Sequence, residues 1–257
     1  MVMVDFAGTT DARLDEMVGA IVDQIRPELI LLFGSRARGD AREDSDYDLM
    51  IVVRDQAAVE SSRRTAYAAL RESKLTAEIL ARSVEDYKRR QHDPGFMDFM
   101  VSREGRLLYT TGAVPQRSPA PGRVREAEDH GEGLAMWIER AGADLRLAEE
   151  SAAGADPVWD GICFHSHACV EKLLKALTVR RGTFPPKTHE LKTLLAMQPN
   201  EIRENVALIA ACKLLGDLYP KSRYPESPFP TPEEAKLAME TARTARDILL
   251  PLMLAAR

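Results

Sequence analysis

Two short apolar runs, Leu29-Ile-Leu-Leu-Phe33 and Leu49-Met-Ile-Val-Val53, bracket Gly34-Ser-Arg-Ala-Arg-Gly39 and Ser45-Asp-Tyr-Asp48. Each run is long enough for a buried strand and too short for a helix. The chain must therefore set two strands close together, one ending on a Gly-Ser turn and the other starting near Tyr47. Asp46 and Asp48 stand where the second strand begins. Strand side chains alternate faces, so residues two apart point the same way and the two carboxylates converge. At an effective dielectric near 20, two carboxylates about 5 Å apart repel by roughly 3 kcal/mol. A hard divalent cation removes that penalty and takes oxygen ligands readily. Beside it, the small residues of the Gly34-Ser35 turn let backbone N–H groups approach a phosphate, for which a helix N-terminus, where one is present, adds a favourable dipole. A phosphate cradle next to metal-seeking carboxylates implies a nucleoside triphosphate held through Mg²⁺.

Neither half is specific alone, since Gly-Ser turns and solvated Asp-x-Asp pairs are common. The ordered set is specific: apolar strand, Gly34-Ser35, an Arg/Gly loop, Asp46-x-Asp48, apolar strand. Over roughly residues 10–111 it resembles the nucleotidyltransferase superfamily of the DNA polymerase beta type, in its minimal form. The resemblance implies a third carboxylate on the next strand, usually Asp. In Lys74-Leu-Thr-Ala-Glu-Ile-Leu-Ala81 the only acid is Glu78, one methylene longer. The expected metal ligands and catalytic carboxylates are therefore Asp46, Asp48 and Glu78. Gly34 and Ser35 are the expected phosphate binders. Arg36 joins them as a guanidinium that can grip phosphate oxygens in a fork.

The composition suits a globular enzyme: 45% hydrophobic, 29% charged and a net charge of -5 over 257 residues. Residues 1–111 carry 16 Lys/Arg against 20 Asp/Glu, and the remainder 19 against 20. Neither part is basic, which argues against a broad polyanion-binding surface. Cys163, Cys169 and Cys212 form no disulfide framework and suit a reducing cytoplasm. The N-terminal segment has no basic region followed by a long apolar run, and no stretch reaches the length of a membrane span.

Residues 112–125 hold three prolines and two glycines and read as a linker between domains at 1–111 and 126–257. The first domain alternates helix and strand. Leu14, Met17, Val18, Ile21, Val22 and Ile25 make a helical stripe, capped at Thr10 or Asp11 and stopped before Pro27. Beyond the two motif strands, the pattern predicts helix over 57–73, strand over Leu75–Ala81, mostly helix over 84–104 and an extended Arg106–Tyr109. The second domain reads as all helix, over about 126–152, 157–182, 190–197 (capped by Thr188), 200–218, and from Thr231-Pro232 toward Leu254. Five helices with short connections predict a bundle.

Three segments of this part, Phe164-His-Ser-His-Ala-Cys-Val-Glu-Lys-Leu-Leu-Lys-Ala176, Arg181-Gly-Thr-Phe-Pro-Pro-Lys-Thr-His-Glu-Leu191 and Ser222-Arg-Tyr-Pro225, look like the HEPN domain in order and spacing. That resemblance implies a helical bundle that often dimerises and that commonly partners minimal nucleotidyltransferases. Many such domains are ribonucleases with an Arg, four to six residues, then His. Arg181 and His189 have seven between them and the segment crosses Pro185-Pro186, so ribonuclease activity is not expected. Cys163, His165, His167 and Cys169 do not make a zinc set, because at helical spacing the two pairs point apart. Glu171, Lys172 and Lys175 read most simply as a polar helix face. The alternative for Glu171 is a catalytic base, as in enzymes resembling kanamycin nucleotidyltransferase. Arg223 and Tyr224 fit either a helix-terminal packing motif or a groove lining.

The expected fold is thus an α+β nucleotidyltransferase domain, a small mixed sheet with helices, followed by an all-α bundle. The expected reaction is attack of an acceptor hydroxyl on the α-phosphate of a Mg²⁺-bound NTP, releasing pyrophosphate, with AMP the favoured group. The acceptor class stays open among a small molecule such as an aminoglycoside, and a protein or RNA in a toxin–antitoxin or defence pair. A binding module with a weak active site is the third reading. A homodimer through the helical domain follows from the resemblance alone.

Overall fold

The computed structural model describes residues 11–42, 45–73, 77–114, 131–224 and 226–254. The chain divides into two compact units, Met1–Arg125 and Glu126–Arg257. Most of the expected linker, from 115 onward, lies outside the described residues.

The first unit is built on a four-stranded sheet: β1 (Leu29–Phe33), β2 (Tyr47–Val53), β3 (Ala77–Ser83) and β4 (Arg106–Thr110), in the order β3-β2-β1-β4. β1 runs antiparallel to β2 and β4, whereas β2 and β3 are parallel. The parallel pair needs a crossover, supplied by helix α3 (Val59–Ser73). All of β1 is buried, as a central strand covered on both faces must be. One face carries Ile30, Leu32, Tyr47, Leu49, Ile51 and Ile79 and packs on α1 (Ala12–Ile25) and α3 through Leu14, Met17, Val18, Ile21, Ala66 and Leu70. The alternate residues Leu29, Leu31, Phe33, Met50 and Val52 belong to the opposite face.

The local signals for α1 act as expected at both ends. The Asp11 carboxylate accepts from the Leu14 amide at 3.3 Å. Arg26 closes the helix in the left-handed conformation (φ 51°), just before Pro27. The expected helix over 84–104 is instead two, α4 (Val84–Arg90) and α5 (Met97–Glu104), separated by a turn at Pro94-Gly95 where the Asp93 carboxylate accepts from the Gly95 amide at 2.8 Å. The third strand starts at Ala77 and runs to Ser83 rather than ending at Ala81; 74–76 lie outside the described residues.

The second unit holds six α-helices among the described residues: α6 (Gly131–Ala153), α7 (Trp159–Arg180), α8 (Leu191–Ala196), α9 (Asn200–Arg203), α10 (Val206–Leu218) and α11 (Pro232–Leu254). α7 is central, buried from Ile162 through Val179 over most of its surface, and packs against α6 and α11. Close approach is permitted by small residues: Ala141 and Ala148 on α6, Ala176 on α7, and Ala235, Ala238, Ala242 and Ala245 on α11. The single helix expected over 200–218 splits because Asn205 caps a new one, its side chain accepting from the Leu208 amide at 3.1 Å. Thr188 is not the cap of α8: its hydroxyl accepts from the Glu190 amide in a turn, and the helix begins at Leu191.

Cys163, Cys169 and Cys212 are free and buried in this core. Burial pushes their thiols up to about 11, 12 and 12 respectively. Among the described residues, no helix is long and apolar enough to cross a membrane.

Candidate active site

β1 ends at Phe33, and the chain turns through Gly34 with φ +72°, a conformation glycine adopts without steric penalty. A five-residue helix follows, α2 (Gly34–Arg38), where the sequence suggested only a loop. Gly39 ends it, also left-handed (φ 83°), its amide bonded to the Ser35 carbonyl at 2.9 Å. The chain then reaches the Ser45–Asp48 segment and β2.

Gly34 is fixed by more than its torsion angle. A Cβ placed there would lie 1.8 Å from the Asp48 carboxylate oxygen and 2.8 Å from its carboxyl carbon. The carboxylate of Asp48 therefore rests against the bare glycine Cα. Asp48 pairs in register with Phe33 on one side and with Glu78 on the other. Register partners on neighbouring strands share a face about 4.8 Å apart along the hydrogen-bonding direction. Asp48 is half-buried, while Asp46, just ahead of β2, and Glu78 are exposed. The structure thus brings Gly34, Asp48 and Glu78 to one end of one sheet face, with Asp46 two residues before Asp48. Among the described residues, no three His, Cys, Asp or Glu side chains are already gathered into a metal cage.

Arg36 bonds within the chain. Its Nε and Nη2 both donate to the Ser45 carbonyl, at 2.9 and 2.7 Å. Its guanidinium lies 4.0 Å from the centre of the Tyr47 ring. The fork expected to grip phosphate is occupied in holding the loop that leads into Asp46. The physical reason is alternation: Tyr47, between the two aspartates, faces the α1 side of the sheet, and Arg36 follows it there.

Tyr47 and Asp11 are partners that sequence reasoning does not place in the site. The Tyr47 hydroxyl donates to the Asp11 carboxylate, the same group that caps α1. Burial, followed by the bond to Asp11, raises the Tyr47 phenol, so it remains a donor. Asp11 is held below its ordinary value: partial burial opposes this, but the Tyr47 bond and the Leu14 and Arg13 amides prevail. A polar gap of about 220 Å³ opens beside them, lined by Asp11, Arg36, Gly39, Tyr47 and Arg106 among others. The signal was present in the sequence, as an aromatic residue between two carboxylates at a period of two.

At the other end of this unit, Asp98 of α5 is fully buried and receives Arg82 Nε of β3 at 3.0 Å. Burial pushes its carboxyl up, against the pull of Arg82.

In the second unit, Glu171 does not stand ready as a base. It accepts from Lys175 at 2.8 Å and meets His189 Nδ1 at 3.1 Å through both oxygens. Burial works against its charge, yet Lys175 and His189 hold its carboxyl below the ordinary range. His167 is buried, stacked 4.2 Å from Tyr219, and burial pushes its imidazole down to about 4. His165 and Lys172 both bind Asp144. Arg181 donates to the Met197 carbonyl at 2.8 Å, whereas His189 turns to Glu171. Arg223 lies over Phe164 and Tyr219, at 5.7 and 5.9 Å, while Tyr224 is exposed.

Comparison with known proteins agrees with both halves of the chain. Residues 18–112 match the family model described as polymerase beta, nucleotidyltransferase, and residues 134–250 match the HEPN domain model. No curated protein matches. Among solved structures, TT1696 from Thermus thermophilus is 28% identical, with 46% of this chain and 95% of that one covered and a TM-score of 0.41. The chain joins a polymerase-beta-type nucleotidyltransferase domain to a HEPN domain.

Proposed function

We propose that the protein transfers an NMP, with AMP favoured, from a Mg²⁺-bound NTP to an acceptor hydroxyl, and that Asp46, Asp48 and Glu78 are its metal-binding carboxylates. The observation that carries this reading is the seat of Asp48 on Gly34, with Glu78 in register beside it. The donor set fits Mg²⁺: all three are hard oxygen ligands, and Mg²⁺ is usually held by one or two carboxylates, waters and substrate phosphate rather than a closed protein cage. When bound, the ion supplies charge neutralisation at the phosphates and a lower pKa for the attacking oxygen. Gly34 leaves the strand end free of a side chain, so the triphosphate can approach backbone N–H groups there. Ser35 adds a hydroxyl. Glu78, exposed at the rim, completes the set from a second strand. Arg36 is left out of the phosphate set because its fork serves Ser45. The HEPN domain has the part of acceptor binding or dimerisation.

The test is incubation of purified protein with Mg²⁺ and each α-³²P-labelled NTP, with and without cell lysate, beside a D46N/D48N variant. Label moved by the wild type alone supports the reading, and the labelled species identifies the acceptor class. NTP binding without transfer under all conditions overturns it in favour of a nucleotide-binding role.

A further inference from the structure

One proposed metal ligand, Asp46, is an exposed residue just ahead of β2, between half-buried Ser45 and buried Tyr47. It is fastened from both sides. On the N-terminal side, the Ser45 carbonyl receives two bonds from Arg36, at 2.9 and 2.7 Å. The Ser45 amide and hydroxyl close a turn with Arg42, at 3.1 and 2.9 Å. On the C-terminal side, Tyr47 is buried and bonded through its hydroxyl to Asp11 at the head of α1. The Arg36 guanidinium sits 4.0 Å over the Tyr47 ring, so one side chain touches both residues that flank Asp46. Arg36 also directly follows Ser35. It therefore ties the expected phosphate turn to the expected metal loop.

We propose that Arg36 is a positioning residue: clamped between the Ser45 carbonyl and the Tyr47 ring, it holds Asp46 in place for metal capture, with Asp11 and Tyr47 as its anchor. This rests on the nucleotidyl-transfer reading for its purpose but not for its test. Its action is through the backbone of Ser45 and Asp46, not through phosphate. Lysine cannot replace it, because a single ammonium supplies neither the planar fork nor the flat face that stacks on tyrosine. The polar gap of about 220 Å³ that Arg36 lines allows a direct substitute: truncation to Ala enlarges a space open to a free guanidinium ion.

The experiment compares wild type, R36A, R36K and Y47F in two readouts. The first is Mn²⁺ affinity, followed by electron paramagnetic resonance without nucleotide. The second is kcat and KM for NTP. The expected result is Mn²⁺ binding weakened about tenfold in R36A and R36K, less in Y47F, and restored to R36A by millimolar methylguanidinium. In the kinetics, kcat falls on the order of 100-fold, the loss typical of a displaced catalytic group, with KM for NTP little changed. A raised KM with kcat and Mn²⁺ affinity intact would make Arg36 a phosphate ligand and overturn the proposal, as would unchanged behaviour of R36A. Y47F, which keeps the ring, serves if R36A does not fold. A wild type that transfers nothing sinks the proposed reaction, while the Mn²⁺ series still decides the clamp.

Discussion

At the scale of single residues, Gly34 carries two demands at once: a left-handed backbone and room for the Asp48 carboxylate. Alanine meets neither. The left-handed conformation alone costs an L-residue about 1–2 kcal/mol, and the methyl must also displace Asp48. G34A should lower the thermal midpoint and abolish nucleotidyl transfer, whereas D48N, which keeps the shape, should abolish transfer and leave the midpoint within a few degrees. Thermal melts beside the labelling assay separate the two. His167 yields a pH prediction. Its folded pKa is about 4 against an ordinary value near 6.5, so between those limits the unfolded chain binds a proton that the folded chain refuses. Its contribution is fully present above pH 6.5 and is lost as pH falls to 4, a loss of about 3 kcal/mol. H167F should flatten the fall in urea midpoint between pH 7 and pH 4.5.

At the scale of elements, the long-range bonds decide more than the local signals. Asp98, fully buried on α5, and half-buried Arg82 on β3 form an ion pair that ties the helix to the sheet. Removing one partner of such a pair typically destabilises by about 3–5 kcal/mol, because the other charge is left without compensation. D98A should show that loss in urea unfolding, and a double D98L/R82M exchange should recover most of it. The sequence announced β1, β2, α1 and the start of α11 because each has an apolar run or stripe together with a terminator: Pro27 for α1, Thr231-Pro232 for α11. The break at Pro94-Gly95 was legible in Asp93-Pro94-Gly95, a turn signal, but the expectation of helix over most of 84–104 passed over it. The break before Val206 was legible in Asn205 and outweighed by the periodicity of 200–218. The site was legible in part. Gly34, Asp48 and Glu78 come together because pairing in a sheet follows from alternation and register. The bond from Arg36 to Ser45 was not legible, because its target, a backbone carbonyl nine positions on, has no signature in side-chain identities.

At the scale of the whole molecule, each unit closes its core on its own residues. The first gathers Leu14 through Leu108, the second Ala141 through Met253, and the two sets share no member. Residues 1–125 and 126–257 expressed separately should therefore each unfold cooperatively, read by circular dichroism. A non-cooperative melt of either piece would show that its core is incomplete alone. The same division gives the three cysteines a use. Every thiol in the chain belongs to the helical core, is shut away from water, and ionises only far above neutral pH. A maleimide added to the native protein must wait for that bundle to open. Its rate of uptake is then a built-in clock, running on the opening of one half of the chain and blind to the other.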